Sequence, residues 1–206
     1  MRYRCPSFRS LPLWLSIALV VGATPVLAQD MTWSRDSETS CWIWNPFPRD
    51  NETVRWSGDC PGGMANGHGV LQWYVGGKLI ERDEGTMKDG KAKGKFVSTL
   101  ADGSRYEGDR VDSVRQGQGT IVFRDGSRYE GEWRGDKFNG QGTFIWPSGN
   151  RYQGEWHDGR PDGWGKATYA WDGTIYEGKW VDGCFAQGNL RWALFVSQDE
   201  CRRRGN

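Results

Sequence analysis

The sequence predicts an all-β protein, an elongated single-layer antiparallel sheet built from tandem β-hairpin repeats of about 23 residues. The first observation behind this prediction is the spacing of Tyr106, Tyr129, Tyr152 and Tyr176, which are 23, 23 and 24 residues apart. The second is glycine, which stands two residues after each tyrosine and again eleven and thirteen residues after the first three. The third is the Asp-Gly or Ser-Gly pair that closes each of these units, because such pairs favour tight turns between strands.

Alternation along each strand places the aromatic rings and the glycines on one face of the sheet. Tyr129, Gly131 and Trp133 share a side, and the charged residues between them face the other side. Glycine weakens a strand, since it has no side chain to pack, and an aromatic ring that lies over the bare backbone compensates for that loss. The sequence therefore predicts an aromatic spine over the glycines, with one turn inside each unit at the GxxxG region and another between units.

Weaker copies of the repeat flank the clear ones. The units begin near residues 56, 83, 106, 129, 152 and 176, so six repeats span residues 56–192. Atypical outer copies are what end-capping units look like in a repeat array. We expect residues 41–55 to form an amino-terminal cap and residues 193–206 to form a carboxyl-terminal cap with a basic tail. Residues 29–40 are expected to be a flexible polar lead.

The unit YxGxWxxGxxxGxGxxxxxxG resembles the MORN repeat, whose name abbreviates membrane occupation and recognition nexus. The resemblance covers roughly residues 56–192. It implies the same array of hairpins. The family's name and proposals for its eukaryotic members suggest anionic phospholipid as a ligand.

The first 28 residues predict a cleavable secretory signal. Three arginines precede an apolar run over residues 13–23, and small residues stand before Gln29. The run is shorter than the roughly 20 residues that cross a bilayer. The alternative is an uncleaved anchor or a misread start of the chain. The expected mature chain begins at Gln29, has no transmembrane segment and is secreted, into the periplasm if the source is a bacterium.

The charge balance of the mature chain argues against nucleic acid as a partner. Without the three arginines of the signal, the chain has 24 basic and 26 acidic residues, a formal charge of −2. Binding of nucleic acid calls for a basic patch or a high isoelectric point. The basic run in the sequence, residues 202–204, lies at the tail and is interpreted as a solubilising segment.

Four cysteines remain after removal of the signal, and they predict two local disulfides. An even number of cysteines in an exported chain indicates disulfides; a metal site is the alternative, but the chain has no CxxC pair. The outer repeats lie about 50 Å apart at a strand spacing of about 4.8 Å, whereas the Cα atoms of a disulfide lie within about 7 Å. We therefore predict the pairs Cys41–Cys60 and Cys184–Cys201.

A column of arginines on the outward face has two interpretations. Arginine recurs at 23-residue spacing at Arg105, Arg128 and Arg151. This column could form a phosphate-binding ladder. However, Glu107, Glu130 and Gln153 follow two residues later on the same face. We interpret the face as solvated and self-neutralised, because exposed ion pairs attract no net anion.

The sequence predicts no catalytic, cofactor or metal site, since it has no phosphate-binding loop, zinc motif or nucleophile elbow. We expect a non-catalytic exported module for protein–protein interaction or envelope assembly, with an unknown protein or a second copy as partner. The alternative is binding of envelope glycan or anionic lipid through the aromatic or polar face of the sheet. The candidate ligand-contact aromatics are Tyr129, Trp133, Trp146, Tyr152, Trp156, Trp164, Tyr176 and Trp180. The competing interpretation is that these rings form the sheet's own core.

Overall fold

Most of the described chain is β-strand, and its single α-helix is short. A computed structural model describes residues 32–187 and 190–203. The expected signal over residues 1–28 lies outside the described residues. In chain order the strands are β1 (Thr32–Arg35), β2 (Trp42–Asn45), β3 (Glu52–Trp56), β4 (Gly67–Val75), β5 (Lys78–Lys88), β6 (Lys91–Leu100), β7 (Arg105–Val111), β8 (Val114–Val122), β9 (Arg128–Arg134), β10 (Lys137–Ile145), β11 (Arg151–His157), β12 (Arg160–Thr168), β13 (Ile175–Val181), β14 (Cys184–Gln187) and β15 (Leu190–Ala193). A 3₁₀ turn spans Pro61–Gly63, and helix α1 spans Gln198–Arg203.

Thirteen of these strands form one antiparallel sheet. Its order follows the chain from β3 to β15, so each strand pairs with its neighbours in sequence. Strands β1 and β2 form a separate two-stranded sheet. The predicted all-β fold, a single antiparallel sheet of tandem hairpins, is confirmed.

Two kinds of turn alternate along the sheet. Inside a unit, β9 and β10 are joined by Gly135 and Asp136, whose φ angles are 54° and 65°. A two-residue turn with both φ angles positive matches the right-handed twist of the strands that it joins. Between units, β8 and β9 are joined by residues 123–127, where the Phe123 N–H donates to the Ser127 carbonyl at 2.8 Å. Gly126 takes φ 86° in this longer turn.

The segment expected to be a flexible lead contains a strand. Residues Thr32–Arg35 form β1 and pair with β2, which differs from the expectation of a flexible segment over residues 29–40. The physical reason is the carboxylate of Asp36, which is buried just after β1. Its Oδ2 atom accepts from the backbone N–H of Trp56 at 2.9 Å, and its Oδ1 atom accepts from that of Glu38 at 2.8 Å. Asp36 thereby ties the small sheet to the end of β3.

Both predicted disulfides are present. Cys41 and Cys60 have their Cα atoms 5.8 Å apart, and Cys184 and Cys201 have theirs 5.6 Å apart. The first bond fastens the start of β2 beside the 3₁₀ turn, and the second fastens α1 to β14. Each disulfide holds a terminal segment against an outer part of the sheet.

The buried side chains form two hydrophobic clusters. One contains aromatic residues between Tyr106 and Phe185, and the other contains residues between Cys41 and Phe96. The buried polar residue Asp83 belongs to neither cluster. The face that carries these clusters is called the inner face of the sheet, and the opposite face is called the outer face.

Candidate functional site

Each tyrosine of the repeat covers two glycines that face each other on adjacent strands. Gly131 of β9 pairs with Gly142 of β10, and the ring of Tyr129 lies over both. A Cβ atom at Gly131 would lie 2.8 Å from the Tyr129 hydroxyl, and one at Gly142 would also clash with the ring. Tyr106 covers the preceding glycine pair in the same way. At Gly142 the ring occupies the space that a side chain would fill, and at Gly131 the backbone of Gln141 and Gly142 lies closer still, at 2.5 Å.

Hydrogen bonds fix these rings at their polar ends. The Tyr129 hydroxyl donates to the Glu132 carbonyl at 2.8 Å, and the Trp156 indole N–H donates to the Gly142 carbonyl at 3.1 Å. Burial raises the pKa of Tyr106 to about 12, and burial also raises the pKa of Tyr129 above its ordinary value. The hydroxyls therefore remain protonated donors at any physiological pH.

Rings of consecutive repeats pack against each other. The tyrosine of one unit meets the tryptophan of the next edge-on, with ring centroids 5.2–5.3 Å apart, in the pairs Tyr106–Trp133, Tyr129–Trp156 and Tyr152–Trp180. Such contacts stabilise a core beyond the area that they bury. The spine is therefore a ladder of pairs between neighbouring units.

The eight aromatic residues predicted from the sequence as ligand contacts differ in how exposed they are. Five are buried in the core and have no surface for a ligand: Tyr129, Trp133, Tyr152, Trp156 and Trp180. Trp146 and Tyr176 are half-buried beside that core. Trp164 points to the outer face and is 66% exposed. The expectation that all eight contact a ligand therefore does not fit the structure, because five of the rings pack on the sheet's own glycines.

An ion pair interrupts the spine. Asp83 stands at the tyrosine position of its unit and Arg110 at the tryptophan position of the next. The Arg110 Nη2 atom donates to Asp83 Oδ1 at 3.0 Å, to Glu81 Oε1 at 2.8 Å and to Ser98 Oγ at 2.9 Å. Burial raises the pKa of Asp83 to about 7, because the loss of hydration outweighs the attraction of Arg110, and the carboxylate of Glu81 adds to the rise.

A cleft of about 300 Å³ lies beside this ion pair. Trp44 and Phe47 line it from the segment that follows β1, and Arg110 and Arg115 line it from the sheet. The Arg115 guanidinium stacks on the ring of Trp133, 4.6 Å from its centroid, and its Nε atom lies 2.7 Å from Asp136 Oδ1. Arg110 and Arg115 are thus both paired with carboxylates of the protein.

A second cavity, of about 390 Å³, lies where strands β10, β11 and β12 meet their connecting turns. Its aromatic walls are Trp146, Tyr169 and Phe195, and its polar lining includes Ser148, Asn150, Arg151 and Thr168. Phe195 comes from the segment between β15 and α1, and its ring lies 5.6 Å from that of Trp146. Tyr169 and Phe195 are functional candidates that the sequence interpretation missed, because neither belongs to the pattern that defines the repeat unit.

Arg151 differs from the two earlier arginines of its column. Arg105 lies 3.1 Å from Glu107, and Arg128 lies 2.6 Å from Glu130. The third unit has Gln153 where those units have glutamate, and within residues 32–187 and 190–203 Arg151 forms no ion pair. The interpretation of the column as self-neutralised is therefore correct for two arginines and wrong for Arg151.

The outer face of the last repeats exposes tryptophan. Trp164 stands where the two preceding units have Gln118 and Gln141, and Trp171 lies in the following loop, 81% exposed. Ile175, the cross-strand partner of Thr168, is 50% exposed. We name these three exposed apolar residues, Trp164, Trp171 and Ile175, the outer tryptophan surface. On the strand face between Trp164 and Ile175 lie Lys166 and Glu177, which form an ion pair at 3.5 Å.

Two general features of the described residues bear on the kind of site. Among them, no cluster of three or more histidine, cysteine or acidic side chains is arranged to hold a metal ion. In the same part of the chain, no helix has the length and apolar character needed to cross a bilayer.

Comparison with known protein families finds repeat matches over the same hairpins. The MORN repeat model matches residues 62–78, 106–128, 129–151 and 152–174. Three of these matches begin at Tyr106, Tyr129 and Tyr152, the tyrosines that cover the glycine pairs. Comparison with curated proteins found no match to the chain.

Proposed function

Because this chain belongs to the MORN-repeat family, we propose that it is an exported, non-catalytic module that binds another protein or a second copy of itself. MORN repeats are in general non-catalytic modules for interaction with proteins or membranes. In this chain the docking surface is the outer tryptophan surface. Its role is to hold a partner in an assembly, in the cell envelope if the source is a bacterium.

The exposure of Trp164 is the observation that carries this proposal. A tryptophan on the solvent side of a strand, 66% exposed, contributes nothing to the aromatic spine. Exposed apolar patches mark interaction sites, and tryptophan is enriched where proteins meet. The chain has glutamine at the same position in two other units, so the repeat itself does not require an aromatic side chain there.

Export is supported by the two disulfides and by the expected signal. Both cysteine pairs close short loops, with sequence separations of 19 and 17 residues. Disulfides of this kind persist in oxidising compartments. A periplasmic or extracellular location accounts for them together with the apolar run over residues 13–23.

Binding of anionic phospholipid has less support. Arg105 and Arg128 on the outer face are paired with glutamates, and the formal charge of the whole chain is +1 before removal of the three signal arginines. Attraction to an anionic bilayer depends on clustered unpaired lysine or arginine. The outer face provides no such cluster among the described repeats.

The test compares two variants at equivalent positions. Trp164→Gln introduces the side chain of the preceding units, and Gln141→Ala is the matched control on the neighbouring repeat. Sedimentation velocity of the protein from residue 29 measures self-association, and crosslinking in envelope extract followed by mass spectrometry identifies a heterologous partner. We expect the assembly to be lost in Trp164→Gln and kept in Gln141→Ala. The proposal is contradicted if both variants assemble as the unmodified protein does. It is also contradicted if the protein binds liposomes and no protein.

A further inference from the structure

We infer that strand β13 binds an extended segment of a partner protein, which adds to the sheet as a further strand. The segment lies antiparallel to β13, with glycine opposite Gly178, a basic residue opposite Glu177 and an apolar residue opposite Ile175. This inference rests on the proposed docking function and names the way in which the partner is held. Main-chain hydrogen bonds along a sheet edge provide the affinity in this mode of binding, and alternate side chains provide the specificity.

The pairing of β13 stops earlier than that of the equivalent strands. In the unit of β9 and β10 the pairing continues past the bulge, so that Glu130 pairs with Thr143. Between β13 and β14 the pairing extends no further than Trp180 and Phe185, and β14 then pairs with β15. Within residues 32–187 and 190–203, therefore, no strand pairs with residues 175–179 on the side away from β12. We call this side of residues 175–179 the free edge.

Main-chain groups of β13 point towards the free edge. The Tyr169 N–H donates to the Thr174 carbonyl at 2.9 Å, and hydrogen-bonded and non-hydrogen-bonded pairs alternate from there along the two antiparallel strands. The main-chain groups of Gly178 therefore face β12, and those of Ile175 and Glu177 face the free edge. A row of such N–H and C=O groups is a template for another strand.

The chain after β14 folds over the inner face and leaves the edge exposed. Trp192 of β15 packs on the ring of Tyr176, with the centroids 4.7 Å apart, and on that of Tyr169 at 5.3 Å. The tyrosines of the three preceding units are fully buried, whereas Tyr176 is half-buried. Ile175 on the outer face is 50% exposed. The free edge is thus accessible to a partner.

The outer face becomes apolar beside this edge. Ile175 stands where the three preceding units have arginine, at Arg105, Arg128 and Arg151. Trp164, on the neighbouring strand, stands where earlier units have glutamine. Both residues belong to the outer tryptophan surface, so the free edge borders the proposed docking surface. An apolar side chain of an added strand would lie directly beside Ile175, and cross-strand pairs of this kind stabilise a sheet.

The register of the glycines defines the composition of the added strand. Glycine faces glycine across the strand junctions of the clear repeats, in the pairs Gly108–Gly119, Gly119–Gly131, Gly131–Gly142, Gly142–Gly154, Gly154–Gly165 and Gly165–Gly178. The next strand of this series has glycine opposite Gly178, and its following residue lies opposite Glu177. A basic side chain there complements the carboxylate, whereas an acidic one is repelled by it.

A second copy of the chain offers no suitable strand among the residues that the structure describes. The strands that carry the glycine pattern, β8, β10 and β12, pair on both sides. The end strand β3 has the N–H of Trp56 on its outer side bound to Asp36 Oδ2 at 2.9 Å. Two free edges that pair symmetrically about Glu177 place like charges directly opposite each other, which is destabilising. The occupant is therefore a segment of another protein.

The experiment measures binding of a fluorescein-labelled peptide to the protein from residue 29 by fluorescence anisotropy. The peptide has the sequence of residues 162–169 with the change Thr168→Ile, so glycine, lysine and isoleucine match Gly178, Glu177 and Ile175. We expect saturable binding at about one site per chain. The matched control has N-methyl groups on the lysine and the isoleucine, which removes the two N–H groups that face β13. It is expected to bind about tenfold more weakly.

Two variants at one position separate the main chain of β13 from its side chain. Glu177→Pro removes an N–H that faces the free edge, where an edge strand tolerates proline, and is expected to weaken binding by about tenfold. Glu177→Gln keeps the N–H and removes the charge, so a loss of about threefold or less is expected. Circular dichroism tests folding, and the N-methylated peptide decides the question if Glu177→Pro does not fold.

Trp164→Gln separates this inference from the docking function on which it rests. Peptide binding to this variant is expected to stay within about threefold of the unmodified protein, because the main chain of β13 is unchanged. If Trp164→Gln abolishes assembly but the peptide does not bind the unmodified protein, the docking function stands and strand addition is overturned. If the peptide binds and Trp164→Gln leaves assembly intact, strand addition stands and the docking function fails.

The inference is overturned if the peptide shows no saturable binding, or if the N-methylated peptide binds as tightly. It is also overturned if Glu177→Gln weakens binding as much as Glu177→Pro does, because the effect would then come from charge. Self-association of the protein that Glu177→Pro abolishes would identify a second copy as the occupant and overturn the choice of a partner protein. Weak binding of the N-methylated peptide, together with a small effect of Glu177→Gln, supports the inference most directly.

Discussion

Arg110 and Asp83 occupy the positions of the tryptophan and the tyrosine that pair in later repeats, and Arg110 Nη2 lies 3.0 Å from Asp83 Oδ1. An ion pair thus replaces an aromatic pair at one level of the spine. Two separate hydrophobic clusters flank this level, one on each side along the sheet. The pair joins two apolar cores through a buried polar contact.

Removal of one partner of this pair is expected to be costly. Arg110→Ala leaves the carboxylate of Asp83 buried with Glu81 beside it, so we expect the free energy of unfolding to fall by about 3 kcal/mol at pH 8. The combined change Asp83→Tyr with Arg110→Trp restores the aromatic pair of the later units, and the adjacent cleft of about 300 Å³ provides room. Chemical denaturation is expected to place the double variant closer to the unmodified protein than Arg110→Ala. A double variant less stable than Arg110→Ala contradicts this expectation.

Asp83 also predicts a pH dependence of stability. Its pKa is raised from 3.8 to about 7 in the folded protein, so between these values the folded state holds a proton that the unfolded state has lost. The stability that Asp83 contributes is therefore complete below about pH 4, falls as the pH rises towards 7 and is constant above. Unfolding of the unmodified protein and of Asp83→Asn, measured from pH 4 to pH 8, isolates this contribution. A stability difference that rises with pH over this window shows that the charged form is favoured instead.

The glycines beneath the rings are expected to tolerate no larger side chain. In Gly142→Ala the new methyl group meets the ring of Tyr129, which is held by its hydrogen bond to the Glu132 carbonyl. We expect a loss of about 1–3 kcal/mol in the free energy of unfolding. The neighbouring substitution Gln141→Ala lies on the outer face and is expected to change stability by less than about 0.5 kcal/mol. Equal denaturation midpoints for the two variants would show that the ring does not lie over the glycine.

The carboxyl-terminal disulfide is expected to hold Phe195 in place. Replacing Cys184 and Cys201 by serine opens a loop with a sequence separation of 17 residues and should cost about 3 kcal/mol. Phe195 packs 5.3 Å from Trp156 and 4.9 Å from Phe144, so the variant is also expected to raise the exposure of Trp156 to acrylamide. The Cys41–Cys60 pair stays intact and serves as the internal control. Unchanged stability and quenching would show that the segment is held by packing alone.

Much of this fold can be predicted from the sequence, because the information is local and repeated. The spacing of Tyr106, Tyr129 and Tyr152 predicts the hairpins, and the glycines predict where the rings lie. The disulfide pairs follow from the length of the array. Strand β1 could not be predicted from the sequence, because residues 32–35 carry no repeat pattern. The position of this strand depends on the buried carboxylate of Asp36.

The functional candidates are less predictable, because they arise where the repeat pattern fails. Asp83 and Arg110 are separated by 27 residues, and their contact depends on the register of three strands. The position of Phe195 depends on how the last segment folds back over the sheet. The change at Gln153 is visible in the sequence, but its consequence for Arg151 appears only when the equivalent ion pairs are seen to form.

The most direct test of the buried spine is the exchange of indole N–H protons with solvent, followed by nuclear magnetic resonance and assigned with single Trp→Phe variants. The indoles of Trp133, Trp156 and Trp180 donate to backbone carbonyls at 3.1, 3.1 and 3.2 Å, so their protons are predicted to exchange slowly. Trp164 and Trp171, exposed on the outer tryptophan surface, are predicted to exchange at nearly the rate of a free indole. Fast exchange at Trp133, Trp156 and Trp180 would contradict an aromatic core. It would show that these rings are exposed and available to contact a ligand.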